Sequence, residues 1–188
     1  MRQITTQKDK ERKNRTKQYA VGVILVLIMF LSVLGYSFQR EEQDSTKKIN
    51  YNGFNFINQN GFWVLEDQNF IFRYNPLEVE KINSQILPLS NYAGKPLYIS
   101  SENQEAGSEI YTNLNPIVQR IQYACLENET CDSDLPIKTC QDNFIIIKEA
   151  DSNKISQNEN CVFIQGPYEN LTKISDEFLF KIIGIREQ

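Results

Sequence analysis

Four cysteines offer the most distinctive chemistry in this chain: Cys125, Cys131, Cys140 and Cys161. Their number is even and none precedes residue 125, which fits two disulfides formed in an oxidising compartment. Four cysteines allow three pairings. The polar stretch from Cys131 to Cys140 favours closing that loop, which leaves Cys125 to tie a helix end to the strand that carries Cys161. The gaps of six, nine and twenty-one positions depart from the CxxC pairs of a zinc site. They also lack the CxxC at a helix start that a thiol-disulfide enzyme uses to lower a thiol pKa. The cysteines therefore read as structural, and neither a metal nor a cofactor is implied.

Carboxylates are the other candidates. Glu78 with Glu80, or Glu102, Glu105 and Glu109, supply pairs of the kind that glycoside hydrolysis uses, although an acidic chain offers such pairs freely. Glu127, Glu129, Asp132 and Asp134 form an acidic knot in the cysteine loop, but no D-x-[DN]-x-[DN]-G calcium loop is present. The chain has no His, which excludes Ser-His-Asp and Cys-His catalysis, His metal sites and imidazole proton shuttles. No Walker A run, GxGxxG or GxSxG occurs, which argues against nucleotide chemistry. Catalytic residues stay unassigned. Asn128-Glu-Thr and Asn170-Leu-Thr match the N-glycosylation pattern of an external domain. The aromatic set Phe54, Phe56, Phe62, Trp63, Phe70, Phe72 and Tyr74 alternates as a core does, with a ligand-stacking surface as the other reading.

These groups need a scaffold, and its first part is a membrane segment. Tyr19 to Phe38 is twenty residues without a charge, enough as a helix to cross a hydrocarbon core about 30 Å thick. Tyr19 and Tyr36 fall where aromatics favour the interface. Residues 1–18 carry seven Lys/Arg against Asp9 and Glu11, a net of +5, so the remainder of a chain of net −4 carries −9. That asymmetry predicts a basic cytoplasmic tail (1–18), a membrane helix (19–38) and an external C-terminal part. The tail reads as a topology signal, so no nucleic-acid partner is expected. A cleaved signal peptide is the alternative, since Gly35 and Ser37 are small, but such apolar cores usually run about 7–15 residues.

After a charged linker (39–48), residues 49–188 should fold as one domain. Tyr51 to Ile57, Phe62 to Glu66 and Phe70 to Tyr74 read as a three-stranded meander with turns at Asn-Gln-Asn-Gly and Asp-Gln-Asn. Pro76 can open a short helix to Ile82. Pro96 to Ser100 reads as a strand, and Ser108 caps a helix whose apolar positions run to Cys125, kinked at Asn115-Pro116. Phe144 to Ile147 is a buried-type strand, Cys161 to Gln165 another, and Asn170 starts a last helix with Leu171, Ile174, Phe178, Leu179, Ile182 and Ile183 in period. The expected class is α+β: a transmembrane helix, then a disulfide-stapled domain with a largely antiparallel sheet and two or three helices.

The basic tail, the single span and the phrases FRYNPLEVEKI and NCVFIQG resemble small single-pass membrane proteins of unassigned function from archaeal genomes. The resemblance implies a prokaryotic surface protein and no activity or site residues. The reading that follows is a membrane-anchored extracytoplasmic binding or assembly module, partnered by the bilayer through residues 19–38 and by another envelope protein or surface ligand. Its alternatives are an envelope hydrolase with paired carboxylates and a thiol-disulfide enzyme.

Overall fold

The computed structural model of the protein describes residues 7–38, 47–127, 129–131 and 134–187, with the side chains of the first helix described over 17–32. The chain divides into two units, with the boundary between Ser45 and Thr46. In the first, α1 (Gln7–Phe38) runs through the uncharged segment and back into the basic tail. Its described side chains are all exposed. Among the described residues no helix is long and apolar enough to cross a membrane; the stretch 17–32 falls short of the ~20 residues a span needs.

The second unit is α+β. Its first sheet is an antiparallel meander of β1 (Lys48–Tyr51), β2 (Phe54–Gln59), β3 (Phe62–Leu65) and β4 (Ile71–Phe72). β1 starts inside what the sequence assigns to the linker and pairs back on β2. Two Asn-Gly turns cause this: Asn52 and Gly53 have φ of 49° and 83°, Asn60 and Gly61 of 53° and 84°. Positive φ at both central residues gives the turn whose twist matches a hairpin.

The second sheet is ordered β10–β11–β9–β5–β6, from β5 (Pro96–Ser101), β6 (Arg120–Tyr123), β9 (Phe144–Glu149), β10 (Lys154–Asn158) and β11 (Cys161–Gly166). Here the antiparallel expectation needs correcting, because β5 pairs in parallel with both β6 and β9, and β9 with β11. Only β10 runs against its neighbour. The physical reason lies in burial on both faces. Leu97, Ile99, Ile145, Ile147, Val162 and Ile164 enter the main core, while Tyr98, Phe144, Ile146 and Cys161 pack in a smaller core on the opposite face. That smaller core is covered by the cysteine loop, where β7 (Cys125–Leu126) pairs with β8 (Ile137–Lys138).

Two helices fill the space beside the main core. α2 (Gln104–Leu114) is the crossover from β5 to β6, as a parallel pair requires. It starts four residues before Ser108, because the Asn103 side chain accepts the Ala106 N–H at 3.0 Å. It ends at Leu114 instead of continuing to Cys125, since Asn115-Pro116 breaks the ladder and Arg120–Tyr123 becomes a strand.

α3 (Leu171–Ile183) is the central element. One face meets β9, β10 and β11, and on another Phe180 packs its ring 4.7 Å from Phe72 and 6.1 Å from Phe56 of the meander. Ser175, Asp176, Glu177 and Lys181 are consequently buried as well. No helix forms at 76–82. Residues 73–95 instead make a mostly irregular strap from β4 to β5, with one 3-10 turn at Leu89–Asn91. A strap of that length needs partners for its backbone polar groups, and α3 with the chain end supplies them. Asp176 accepts the Tyr74 N–H at 2.8 Å and Glu177 the Ile82 N–H at 3.2 Å. Arg186 donates to the carbonyls of Pro76 and Val79 and pairs with Glu177.

Replacing Arg186 with Ala strands the buried Glu177 carboxylate and two strap carbonyls. The expected loss is about 3–5 kcal/mol, measured as a fall in the urea midpoint of the full chain; a shift under ~1 kcal/mol, the scale of an exposed pair, would show that the network carries no load.

Candidate functional site

The site is built on the outer face of α2. Ala106, Gly107, Ile110, Asn113 and Leu114 turn inward, which leaves Gln104, Glu105, Ser108 and Glu109 along the opposite stripe, as helical spacing dictates. Together with Phe62 of β3, Arg73 and Thr172 of α3 they line a cavity of about 290 Å³. Arg73 is placed by Asn113, whose side chain accepts the Ile71 N–H at 2.8 Å and donates to the Ile71 carbonyl at 2.7 Å, closing the outer edge of β4. The Arg73 guanidinium then lies 5.2 Å from the centroid of the Phe62 ring, within cation–π range.

Behind Glu109 stands Asp176 of α3, each carboxyl acting on the ionisation of the other. Asp176 is wholly buried; its Oδ2 accepts the Tyr74 N–H, and among the described residues its Oδ1 has no hydrogen-bond partner. Burial pushes the Glu109 carboxyl up to about 7, against the downward pull of Asp176 and of the Arg73 charge. Burial, then the charge of Glu109, holds Asp176 well above the usual carboxylate range. The cavity thus presents an aromatic face, one cation, two carboxyl groups and hydroxyls, one of the carboxyls able to gain or lose a proton near neutrality.

The sequence candidates fall in several places. Glu105 and Glu109 share this cavity, whereas Glu102 accepts the Glu149 N–H at 2.7 Å, away from it. Glu78 and Glu80 line a second cavity of about 210 Å³ with Asn153, Asn170 and Lys173. There Glu78 accepts the Asn75 N–H and Glu80 the Asn153 amide, so both serve local structure. Asn170 is half-buried and donates to Asn153 at 3.4 Å, with Thr172 of its sequon 4% exposed; that is a closed setting for a glycan. Asn128 and Asp132 lie outside the described residues. Glu129 of the acidic knot pairs with Lys148. Among the described residues no three His, Cys, Asp or Glu side chains converge as metal ligands. On the other face of the mixed sheet the Tyr98 hydroxyl sits between Lys138 and Arg120, whose hydrogen bonds draw it below an ordinary phenol.

The cysteine pairing favoured by loop polarity is corrected: Cys125 joins Cys131, and Cys140 joins Cys161. The cause is the β7–β8 pairing, which folds the loop between them back on itself and brings Cys131 to 6.1 Å from Cys125, Cα to Cα. Cys140 then lies beside Cys161, held by the Asn160 N–H donating to the Cys140 carbonyl at 3.0 Å.

Arg73 and Asp176 escape a reading of the sequence as a string, because neither stands in a motif. The available signal is Phe178-Leu179-Phe180 beside Asp176-Glu177: three large apolar residues in succession point to more than one face of a helix and bury more than one face, so charges beside them must be partnered inside. No protein-family model, no curated protein and no solved structure matches this chain.

Trypsin tests the bridges directly. Cleavage at Arg120, Lys138, Lys148, Lys154 and Lys173 should yield Ile121–Lys138 with an internal disulfide and Thr139–Lys148 joined to Ile155–Lys173. A product that links Ile121–Lys138 to either of the other two would contradict the structure.

Proposed function

We propose that this chain is a membrane-tethered extracytoplasmic binding or assembly module whose α2 cavity takes a small polar ligand or a polar side chain of an envelope partner. The observation that carries the tether is the continuous exposure of apolar residues on α1: every large side chain from Val21 to Leu31 is more than half exposed. Apolar area left in water costs about 25 cal/mol per Å², and a bilayer removes that cost along an uncharged stretch of twenty residues. The charge asymmetry favours an inside tail. The two disulfides favour an oxidising location for the second unit, and the resemblance to archaeal single-pass proteins agrees with both. Binding is favoured over catalysis by the cavity itself. Glu105 and Glu109 rise one turn apart from the same wall, whereas glycoside hydrolysis needs carboxyls on opposite sides of the scissile bond.

An impermeant thiol reagent on intact cells tests the placement. Labelling only after reduction is expected; labelling only in opened cells, without reductant, would put the second unit in the cytoplasm and remove this reading. For the cavity, thermal melting of the full chain in detergent against a panel of amino acids, monosaccharides and short peptides should find a stabilising compound whose effect Arg73→Ala abolishes. Equal stabilisation of the variant would place binding elsewhere.

The envelope-hydrolase reading keeps one supporting observation, the proton that Glu109 can exchange near neutrality inside a cavity. It requires that the full chain turn over aryl glycosides and that Glu109→Gln lose at least about a hundredfold, the usual contribution of a general acid; no turnover by the unaltered chain would end it.

A further inference from the structure

We propose that the α2 cavity binds a free amino acid, holding the ammonium of the zwitterion on Glu105, Ser108 and Glu109 and its carboxylate on Arg73. The inference rests on the reading of this cavity as a binding site and is independent of the membrane placement. The volume, about 290 Å³, lies at the lower end of the ~300–1,000 Å³ usual for ligand pockets, which suits one small molecule and leaves no room for an oligosaccharide. The lining also keeps unused bonding capacity. Among the described residues neither the Arg73 guanidinium nor the Glu105 carboxylate is closed into an ion pair or a hydrogen bond. Thr172 is only 4% exposed, lines the cavity, and its hydroxyl has no hydrogen bond among the described residues.

The ammonium wall is set by helical spacing. Glu105, Ser108 and Glu109 stand at i, i+3 and i+4 on α2 and line the cavity together, neighbours on one stripe with Cβ atoms about 5–6 Å apart. An alkylammonium has three N–H donors and no acceptor. Two carboxyls and a hydroxyl are the matching acceptors, and Glu109 accepts whether or not it carries a proton. The backbone beneath them is fixed, because Ala106, Gly107 and Ile110 of the same helix are buried.

The cation comes from a different element, the segment after β4. Its backbone is held on both sides of Arg73: Asn113 clamps Ile71, and Asp176 accepts the Tyr74 N–H. A guanidinium presents a fork that suits both oxygens of a carboxylate. The two signs together select against simpler ligands. A lone cation meets the charge of Arg73, and a lone anion meets Glu105. A sugar would need the Phe62 ring for its apolar face, and the Arg73 guanidinium already stands 5.2 Å from that centroid. An uncharged ligand would desolvate both charges without pairing either. An amino acid pairs both at once.

The test is calorimetric titration of the full chain in detergent with alanine, leucine, glutamine and γ-aminobutyrate. Each is run beside its amide, which lacks the carboxylate, and its N-acetyl form, which lacks the ammonium, with glucose as the sugar. At least one amino acid should bind, with both blocked forms at least about tenfold weaker, the scale of one hydrogen bond to a charged group. Arg73→Ala should remove the preference for the parent over its amide, and Glu105→Gln should weaken the parent more than the N-acetyl form. Both side chains are exposed, so neither variant should disturb the fold. Blocked forms that bind as tightly as the parent, or glucose bound through Arg73 with no amino acid bound, would overturn the amino-acid assignment and leave the cavity a binding site. Amino-acid binding that both variants leave unchanged would overturn the assignment and the cavity reading together.

Discussion

A helix with no face to water must satisfy its charges from within. α3 is such a helix, and most of the domain follows from that constraint. Its apolar residues take the mixed sheet on one side and, through Phe180, the aromatic meander on the other, while Phe178 meets Tyr92 of the strap. Asp176, Glu177 and Lys181 are enclosed with them. An enclosed carboxylate without partners would cost several kcal/mol, and the partners that the fold supplies are backbone groups of the strap. The strap in turn has too little regular structure to satisfy itself. Each solves the other's problem: carboxylates of α3 accept strap N–H groups, and Arg186 returns to neutralise Glu177 and donate to strap carbonyls.

The cavity is a by-product of this exchange. Asp176 fixes the strap at Tyr74, one residue from Arg73, while Asn113 of α2 fixes β4 two residues before Arg73. The guanidinium therefore has a defined place beside Phe62 and the outer stripe of α2. The buried Asp176 that holds the strap at Tyr74 also acts on the ionisation of Glu109 in the cavity wall.

How much of this was legible in the sequence depended on whether the signal was local. Asn60-Gly61 determines its hairpin by backbone geometry alone, so three strands of the meander are readable; Asn52-Gly53 is the same signal, but the reading of Tyr51 to Ile57 as one strand runs through it and misses β1. The period of α3 was readable for the same reason, and so was the even cysteine count. The parallel pairing was written in Phe144-Ile-Ile-Ile147, a run buried on both faces, but choosing partners for it required the long-range placement of β5 and β11. Asn115-Pro116 marks a break, but apolar spacing that continues beyond it imitates a kinked helix over what is the strand β6. The cysteine partners and the role of Arg73 and Asp176 depend on loops and on contacts between residues about a hundred positions apart. FRYNPLEVEKI, from Phe72 at the end of β4 to Ile82, holds the first part of the strap, and it is the part those contacts fix.

Native-state hydrogen exchange tests the account at its centre. If the charges of α3 hold the strap, the amides of Tyr74 and Ile82 should exchange only with the opening of α3, with protection close to that of the α3 core. Rapid exchange at Tyr74 and Ile82 while α3 stays protected would mean that the strap opens independently, and that the enclosed carboxylates find their partners elsewhere.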